Sequence, residues 1–400
     1  MGSASLIILL ALALAVAAWL GWQLRRRSMD RWLLPYVLST RKRRAPRGGE
    51  SVHLLLCLAD HYEPKWGKAS PEVARQRVAR WVEEYPGLFE NFRDSDGLPP
   101  RHTFFFPLEE YEADHVDALA QLCRAGFGEV EVHLHHDRDT AANLRERLLR
   151  FKQTLAERHG LLCHHRHTGE LAYGFIHGNW ALDNSRPDGR WCGVNNELEI
   201  LRQTGCYADF TLPSAPSPTQ TRKINSIYYA VDEPERAKSH DTGIDVGGRG
   251  PVPAEALLLL QGPLLLNWKG RRWGLLPHVE NGCIQAGQPP TLERLQLWLK
   301  ARIQVPIRPD WFFVKLYTHG APEANQRVLL GEPMVRFHKD LRAYAADHPG
   351  FHFHYVTARE MYNLVKAAET GWQGTVKAAR DFSLIPQGAG AAVRESTTIS

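Results

Sequence analysis

One pattern, repeated along the chain, most limits what it can fold into. A short apolar run gives way to a polar cluster, often with histidine, and then to the start signal of a helix. It is plainest at residues 128–137, Gly-Glu-Val-Glu-Val-His-Leu-His-His-Asp. Val130 and Val132 alternate there with Glu129, Glu131 and His133, which is the period of a strand. Thr140 opens a helical run just beyond, so three histidines and an aspartate fall where a strand yields to a loop. In barrel and open α/β folds that end of a strand carries the chemistry. Imidazole nitrogens beside a carboxylate suit a divalent ion, zinc foremost.

The same reading predicts strands over residues 52–59, 103–106, 129–134, 171–176, 207–211, 311–317 and 351–356. Helices are expected from Ser70-Pro71-Glu72, near 112–125, near 140–158, from Asn195-Asn196-Glu197, from Thr291, and from Thr357, where Glu360 completes a capping box. Residues 226–231 read as a strand or as part of an excursion, and 256–278 as a hairpin turning at Lys269-Gly270. Strand and helix alternate about seven times, which implies an α/β fold with a largely parallel sheet. Polar clusters at one end of successive strands point to a (β/α)7-type barrel with a single site at its mouth.

Residues 5–24 form an uninterrupted apolar run, long enough to cross a bilayer, with Trp19 and Trp22 at one end. Residues 25–47 then carry nine basic side chains against Asp30 alone, a net +8 in a chain whose total is +5. The remainder is therefore about −3, and the basic balance belongs to the membrane flank; no nucleic-acid partner is expected. A basic n-region and a small-residue cleavage site, the marks of an export signal, are not evident. The reading is a single-pass anchor with the domain in the cytoplasm, the periplasmic or extracellular face being the alternative. The expected organisation is an anchor over 1–24, a basic connector over 25–50, a barrel domain over 51–371 and a loose Gly-, Ala- and Ser-rich tail over 372–400. Six scattered cysteines without a C-x-x-C pair fit a reducing compartment.

Four polar clusters follow strands: Asp60-His61; His133, His135, His136 and Asp137; His177 with Asn179, Trp180 and Asp183; and His319. One histidine at a strand end is ordinarily structural, but four such clusters at equivalent ends suggest a metal or acid–base site. The arrangement resembles the polysaccharide deacetylase family, carbohydrate esterase family 4, within the glycoside hydrolase/deacetylase barrel superfamily, over about residues 52–365. That family ends its first strand with Asp-Asp, where Asp60-His61 stands here. Its second motif is His-(Ser/Thr)-x-x-His, with a Glu four residues earlier; Glu129, His133 and Asp137 keep that spacing with altered residues. Its late Leu-His element is similar to Leu316-Tyr-Thr-His319, with two residues inserted. Its Arg-x-Pro-Tyr signature is missing; Phe210-Thr-Leu-Pro213 occupies a comparable place.

The resemblance implies a divalent metal held by His61, His133 and Asp137 with Asp60 as base, or by Asp60, His133 and His135 or His136 with Glu63 assisting. It implies His319 as general acid. His177, Asn179, Trp180 and Asp183 are expected to meet a sugar. The expected function is a membrane-anchored deacetylase acting on an amino-sugar glycan or lipid-linked sugar, within a polysaccharide biosynthesis complex. Two alternatives stand beside it: a glycosidase pairing Asp60 with Glu197 or Asp209, and an inactive barrel serving as a binding component.

Overall fold

The structure is a computed structural model describing residues 3–39, 51–248, 250–272 and 276–387. Its strands are β1 (Val52–His61), β2 (His102–Pro107), β3 (Gly128–Leu134), β4 (Cys163–His165), β5 (Leu171–His177), β6 (Cys206–Asp209), β7 (Ile227–Ala230) and β8 (Ile244–Asp245). They continue as β9 (Leu257–Leu260), β10 (Leu265–Arg272), β11 (Leu276–Glu280), β12 (Cys283–Ile284), β13 (Trp311–Thr318), β14 (Phe351–Tyr355) and β15 (Leu384–Pro386).

Apart from the β10–β11 hairpin, these strands form one sheet among the described residues, in the order β12-β13-β1-β2-β3-β5-β6-β9-β7-β8. From β12 to β9 every pairing on this path is parallel. β1 is shared: its first half pairs with β14 and its end with β2, both parallel. Parallel neighbours need crossovers, and helices such as Pro71–Phe89, Ala113–Leu122 and Ala141–His159 supply them. The start signals hold. Ser70, Thr140, Thr291 and Thr357 each cap a helix through the side chain, and Glu360 completes its capping box.

The strands alternate cleanly between two cores. Leu54 and Leu56 of β1, Phe104 and Phe106 of β2, Val130 and Val132 of β3, and Val314 and Leu316 of β13 face the helix layer, beside Trp81, Tyr85 and Phe89. Leu55, Cys57 and Ala59, Phe105, Leu258 and Leu260, and Trp311 and Phe313 share the opposite, inner core with the Ala358–Glu369 helix. Each fully buried large apolar side chain contributes about 1.5–3 kcal/mol, and a one-residue slip of any strand would exchange the two faces.

Three expectations are corrected. The ladder does not close into a continuous barrel: antiparallel β7 takes the far edge of β9, and β8 lies beyond it. The sheet's two ends still approach, because a Cβ on Gly262, just past β9, would lie 2.3 Å from the Lys315 carbonyl of β13. The loose tail expected from residue 372 also begins later. Residues Val376–Ala379 form a helical turn, β15 pairs with β4, and Arg380 is clamped by Asp94, Asp96 and Glu360. The 256–278 hairpin is realised only in part, since β9 joins the main sheet and the hairpin proper is β10–β11. Residues 388–400 and the C-terminal part of the basic connector, 40–50, lie outside the described residues.

At the other end, Ser5–Arg26 is 22 residues of mean hydropathy 2.3, long and apolar enough to cross a membrane. A second helix, Met29–Ser39, follows at once. Met29 and Trp32 pack on Ala215, Ile224, Leu264 and Leu266, so the chain that leaves the apolar helix is seated on the domain.

Candidate functional site

Alternation decides which histidines meet. His61 follows Leu55, Cys57 and Ala59 on the inner face of β1. His133 lies on the face of β3 opposite Val130, Val132 and Leu134. His319 continues the inner register of Trp311 and Phe313 just past β13. The three rings converge: His61 lies 4.9 Å from His133 and 4.7 Å from His319, centroid to centroid, the latter pair stacked. Glu63, two residues beyond His61, brings Oε1 to 3.2 Å from Nε2 of His133. His61, Glu63 and His133 can each offer one ligand atom, all within 4.8 Å of one another.

The donors fit a metal. Both ring nitrogens of His61 and Nδ1 of His133 are buried with no hydrogen-bond partner. Leaving such groups unpaired is unfavourable by about 1–3 kcal/mol each, and a cation bound by His61 would take one of its two nitrogens. Burial, then the neighbouring His319 and His133, hold the His61 imidazole well below its usual range. Burial and His135 bring His133 down to about 3. Both rings are therefore neutral, the form that ligates. Burial pushes the Glu63 carboxyl up to about 7. Two histidines and a glutamate form one of the donor sets of catalytic zinc sites.

Aromatic side chains roof the cluster. The Trp180 ring lies 4.6 Å from His61 and 4.9 Å from Tyr317, and Trp66 lies 4.9 Å from His319. Trp180 has φ +62°, a left-handed conformation that a bulky residue rarely adopts without constraint. Trp180, Tyr317 and His319 line a cleft of about 1090 Å³. Its far wall includes Arg27, at the end of the apolar helix, and Arg271 of β10. Burial lowers the His319 pKa, against the pull of Glu63 and Asp60.

Several expected site residues lie elsewhere. Asp60 faces the helix layer, the opposite side from His61. Its Oδ2 lies 2.8 Å from Nε2 of His102, and its Oδ1 accepts a 2.6 Å bond from the Gly320 N–H. Both carboxylate oxygens are taken up by these partners, so the expected base does not join the group formed by His61, Glu63 and His133. Asp137 is exposed and accepts from the Trp191 N–H at 2.5 Å, so it does not join His133. His135 sits at the rim, bonded to Glu109 and 3.6 Å from Glu63. Glu129 pairs with Arg359 at the opposite end of β3.

His136 and His177 lie on the helix side, where their rings are 4.7 Å apart. Asp183 is fully buried and accepts from the Ser239 N–H at 2.5 Å; it does not face the cleft. Asn179 donates its N–H to Nδ1 of His177. Of the four residues expected to meet a sugar, Trp180 is the one that lines the cleft. The carboxylates weighed for a glycosidase are also apart: Asp209 is tied to Thr211 and Glu197 to His136, while Asp60 is held as above.

The sequence reading gave Glu63 only an assisting part and overlooked Trp66 and Tyr317. The signal for Glu63 was its spacing of two from His61. Tyr317 could be read the same way, two residues before His319.

No family model matches the chain, and no curated protein matches it. Among solved structures, the fold is similar to a Mycobacterium smegmatis protein provisionally described as a polysaccharide deacetylase. That likeness has 12% identity over 81% of this chain and 94% of the other, with a TM-score of 0.42. It is also similar to the 4-alpha-glucanotransferase of Thermococcus litoralis, at 11% identity over 78% of this chain and 40% of the other, with a TM-score of 0.40. Likeness at this level says nothing about the reaction.

Proposed function

We propose that the protein is a membrane-anchored, metal-dependent hydrolase that removes acetyl groups from an amino sugar, with a lipid-linked sugar as the favoured substrate. The observation that carries this reading is the convergence of His61, His133 and Glu63, with unpaired buried nitrogens, beneath an aromatic cleft bearing His319. His61, His133 and Glu63 would hold the metal, zinc being the ion this donor set suits best. A divalent ion there supplies Lewis acidity, polarising an amide carbonyl and acidifying water.

The chain's own groups do the rest. Trp180, Tyr317 and Trp66 offer flat apolar faces for a sugar ring. His319 overlies His61 at the cleft; its imidazole would accept the proton of the attacking water and then give it to the leaving amine. With Asp60 turned away, His319 is the titratable group shared by the cluster and the cleft wall. The rings around the site limit water.

The anchor supports a membrane-held substrate. Arg27 lines the same cleft as His319, and the anchor's exit is packed on the domain through Trp32. A phosphate-linked lipid lying in the bilayer would present its charge near Arg27 and its sugar toward Trp180. The nine basic residues after the apolar run favour a cytoplasmic domain. A reporter fused at Ser400 should then be active only inside the cell; activity only in the exported compartment would reverse the orientation.

His61→Ala and His133→Ala should each abolish deacetylation and lower metal content while circular dichroism stays unchanged. A folded variant of either kind with full activity would remove the site from the reaction.

A further inference from the structure

A second cluster lies across the sheet from the first. His136 follows β3, His177 ends β5, and Cys192 and Glu197 come from the segment that leads into the Glu197–Gln203 helix. Each offers one ligand atom, all within 4.8 Å of one another. All four are buried, His136 at 6% exposure and the others at 0%. The strand wall separates this cluster from His133, because Leu134 and Phe175, next to it, face the helix layer.

We propose that His136, His177, Cys192 and Glu197 form a second metal site, structural in role and best suited to zinc. Nε2 of His136 lies 3.1 Å from Oε1 of Glu197, and Nε2 of His177 lies 3.9 Å from the same oxygen. Sγ of Cys192 lies 3.4 Å from Oε2. Nε2 of His177 is buried without a hydrogen-bond partner, directed at this focus. One thiolate, two imidazoles and one carboxylate make up a closed four-ligand set of the kind structural zinc takes.

The surroundings support it. Nδ1 of His136 lies 3.1 Å from Asp139, the carboxylate behind a histidine ligand that fixes its orientation. His177 is the ligand that must adjust. Its Nδ1 now accepts from the Asn179 N–H at 3.2 Å, and coordination through Nε2 places the ring proton on Nδ1 and displaces that contact. The metal-free alternative is an ion pair in which a protonated His136 bridges Asp139 and Glu197; it leaves Nε2 of His177 unpaired.

The site has a task. Between β5 and the Glu197–Gln203 helix, the regular structure is a short turn at Leu182–Asn184. Trp180, Asp183, Asn184 and Trp191 all have positive φ there. An irregular segment of this length inside a compact domain is uncommon. A metal joining His136 and His177 to Cys192 and Glu197 fixes both ends of the stretch that carries Trp180 into the cleft.

Cobalt substitution of the purified full chain in detergent tests this directly. A cobalt–thiolate charge-transfer band in the near ultraviolet should appear in the wild type, persist in His61→Ala and vanish in Cys192→Ala. His61→Ala should also keep one equivalent of zinc, so failure of the inner site and failure of this one are distinguishable. Cobalt-loaded wild type without the band, no metal uptake, or a band that survives Cys192→Ala would each overturn the proposal. If Cys192→Ala does not fold, the wild-type spectrum decides alone.

Discussion

Asp60 and His61 are adjacent in sequence and serve opposite faces of one strand. The sequence shows that this strand end is polar. Which of the two side chains enters the site follows only when period-2 alternation is carried through Leu55, Cys57 and Ala59 to His61. Asp60→Asn should therefore weaken the native state, by about 1.5–3 kcal/mol for lost charged hydrogen bonds. Turnover per folded molecule should stay within about tenfold, well short of the 10²–10⁴ expected of a general base. Thermal melts with active-site titration separate the two outcomes, and a turnover loss without destabilisation would return Asp60 to the chemistry. His319→Ala should behave in the opposite way, with melting and metal content unchanged and kcat down by about 10²–10⁴. An unaltered kcat would make His319 structural. His61, His133 and His319 were legible as residues; Asp137 and Asp183 were misplaced because the loops that turn them away leave no periodic trace.

At the scale of elements, the strands and helix caps were largely readable, because alternation and capping are local. The far end of the chain was not. Its Gly-, Ala- and Ser-rich composition suggested a loose tail from residue 372, yet Arg380 reaches back to Asp94, Asp96 and Glu360, contacts 286, 284 and 20 residues distant. Arg380→Met should destabilise the domain by about 3–5 kcal/mol, as removal of one partner of a buried pair does. The effect should depend on pH. Burial opposes the Asp96 charge, but His354 and Arg380 outweigh it and hold its carboxyl down at about 2. A depressed carboxyl contributes its full stability above the unfolded pKa of about 4 and loses it as pH falls through about 2. The melting difference between wild type and Arg380→Met should narrow over that window. A constant difference would show that the clamp acts by packing alone. Closure of the sheet was beyond sequence reading for a related reason: residues 226–231 read as a strand or as part of an excursion, with nothing local to say that β7, formed there, would occupy the edge of β9.

At the scale of the molecule, the N-terminal apolar helix and the cleft form one arrangement. Trp32 is wholly buried among Ala215, Ile224, Leu264 and Leu266, and this packing sets Arg27 at the cleft wall. The apolar run and its basic flank were evident in the sequence; their seating against the domain depends on contacts far apart in the chain. Trp32→Ala should lower activity on a lipid-linked acetamido sugar in vesicles and leave hydrolysis of a water-soluble analogue unchanged. An equal loss on both substrates would tie Trp32 to stability of the whole domain and not to presentation of the substrate.

Metal-dependent deacetylation is the reaction proposed for the inner cluster, and acetate release tests it most directly. The purified full chain in detergent is offered N-acetylated amino sugars, free and lipid-linked, before chelation, after it, and after zinc is restored. Acetate is expected from at least one of them, with its loss on chelation, its return with zinc, and none at any stage from His61→Ala. Acetate release that survives complete removal of metal, or that persists in a folded His61→Ala protein, would contradict it.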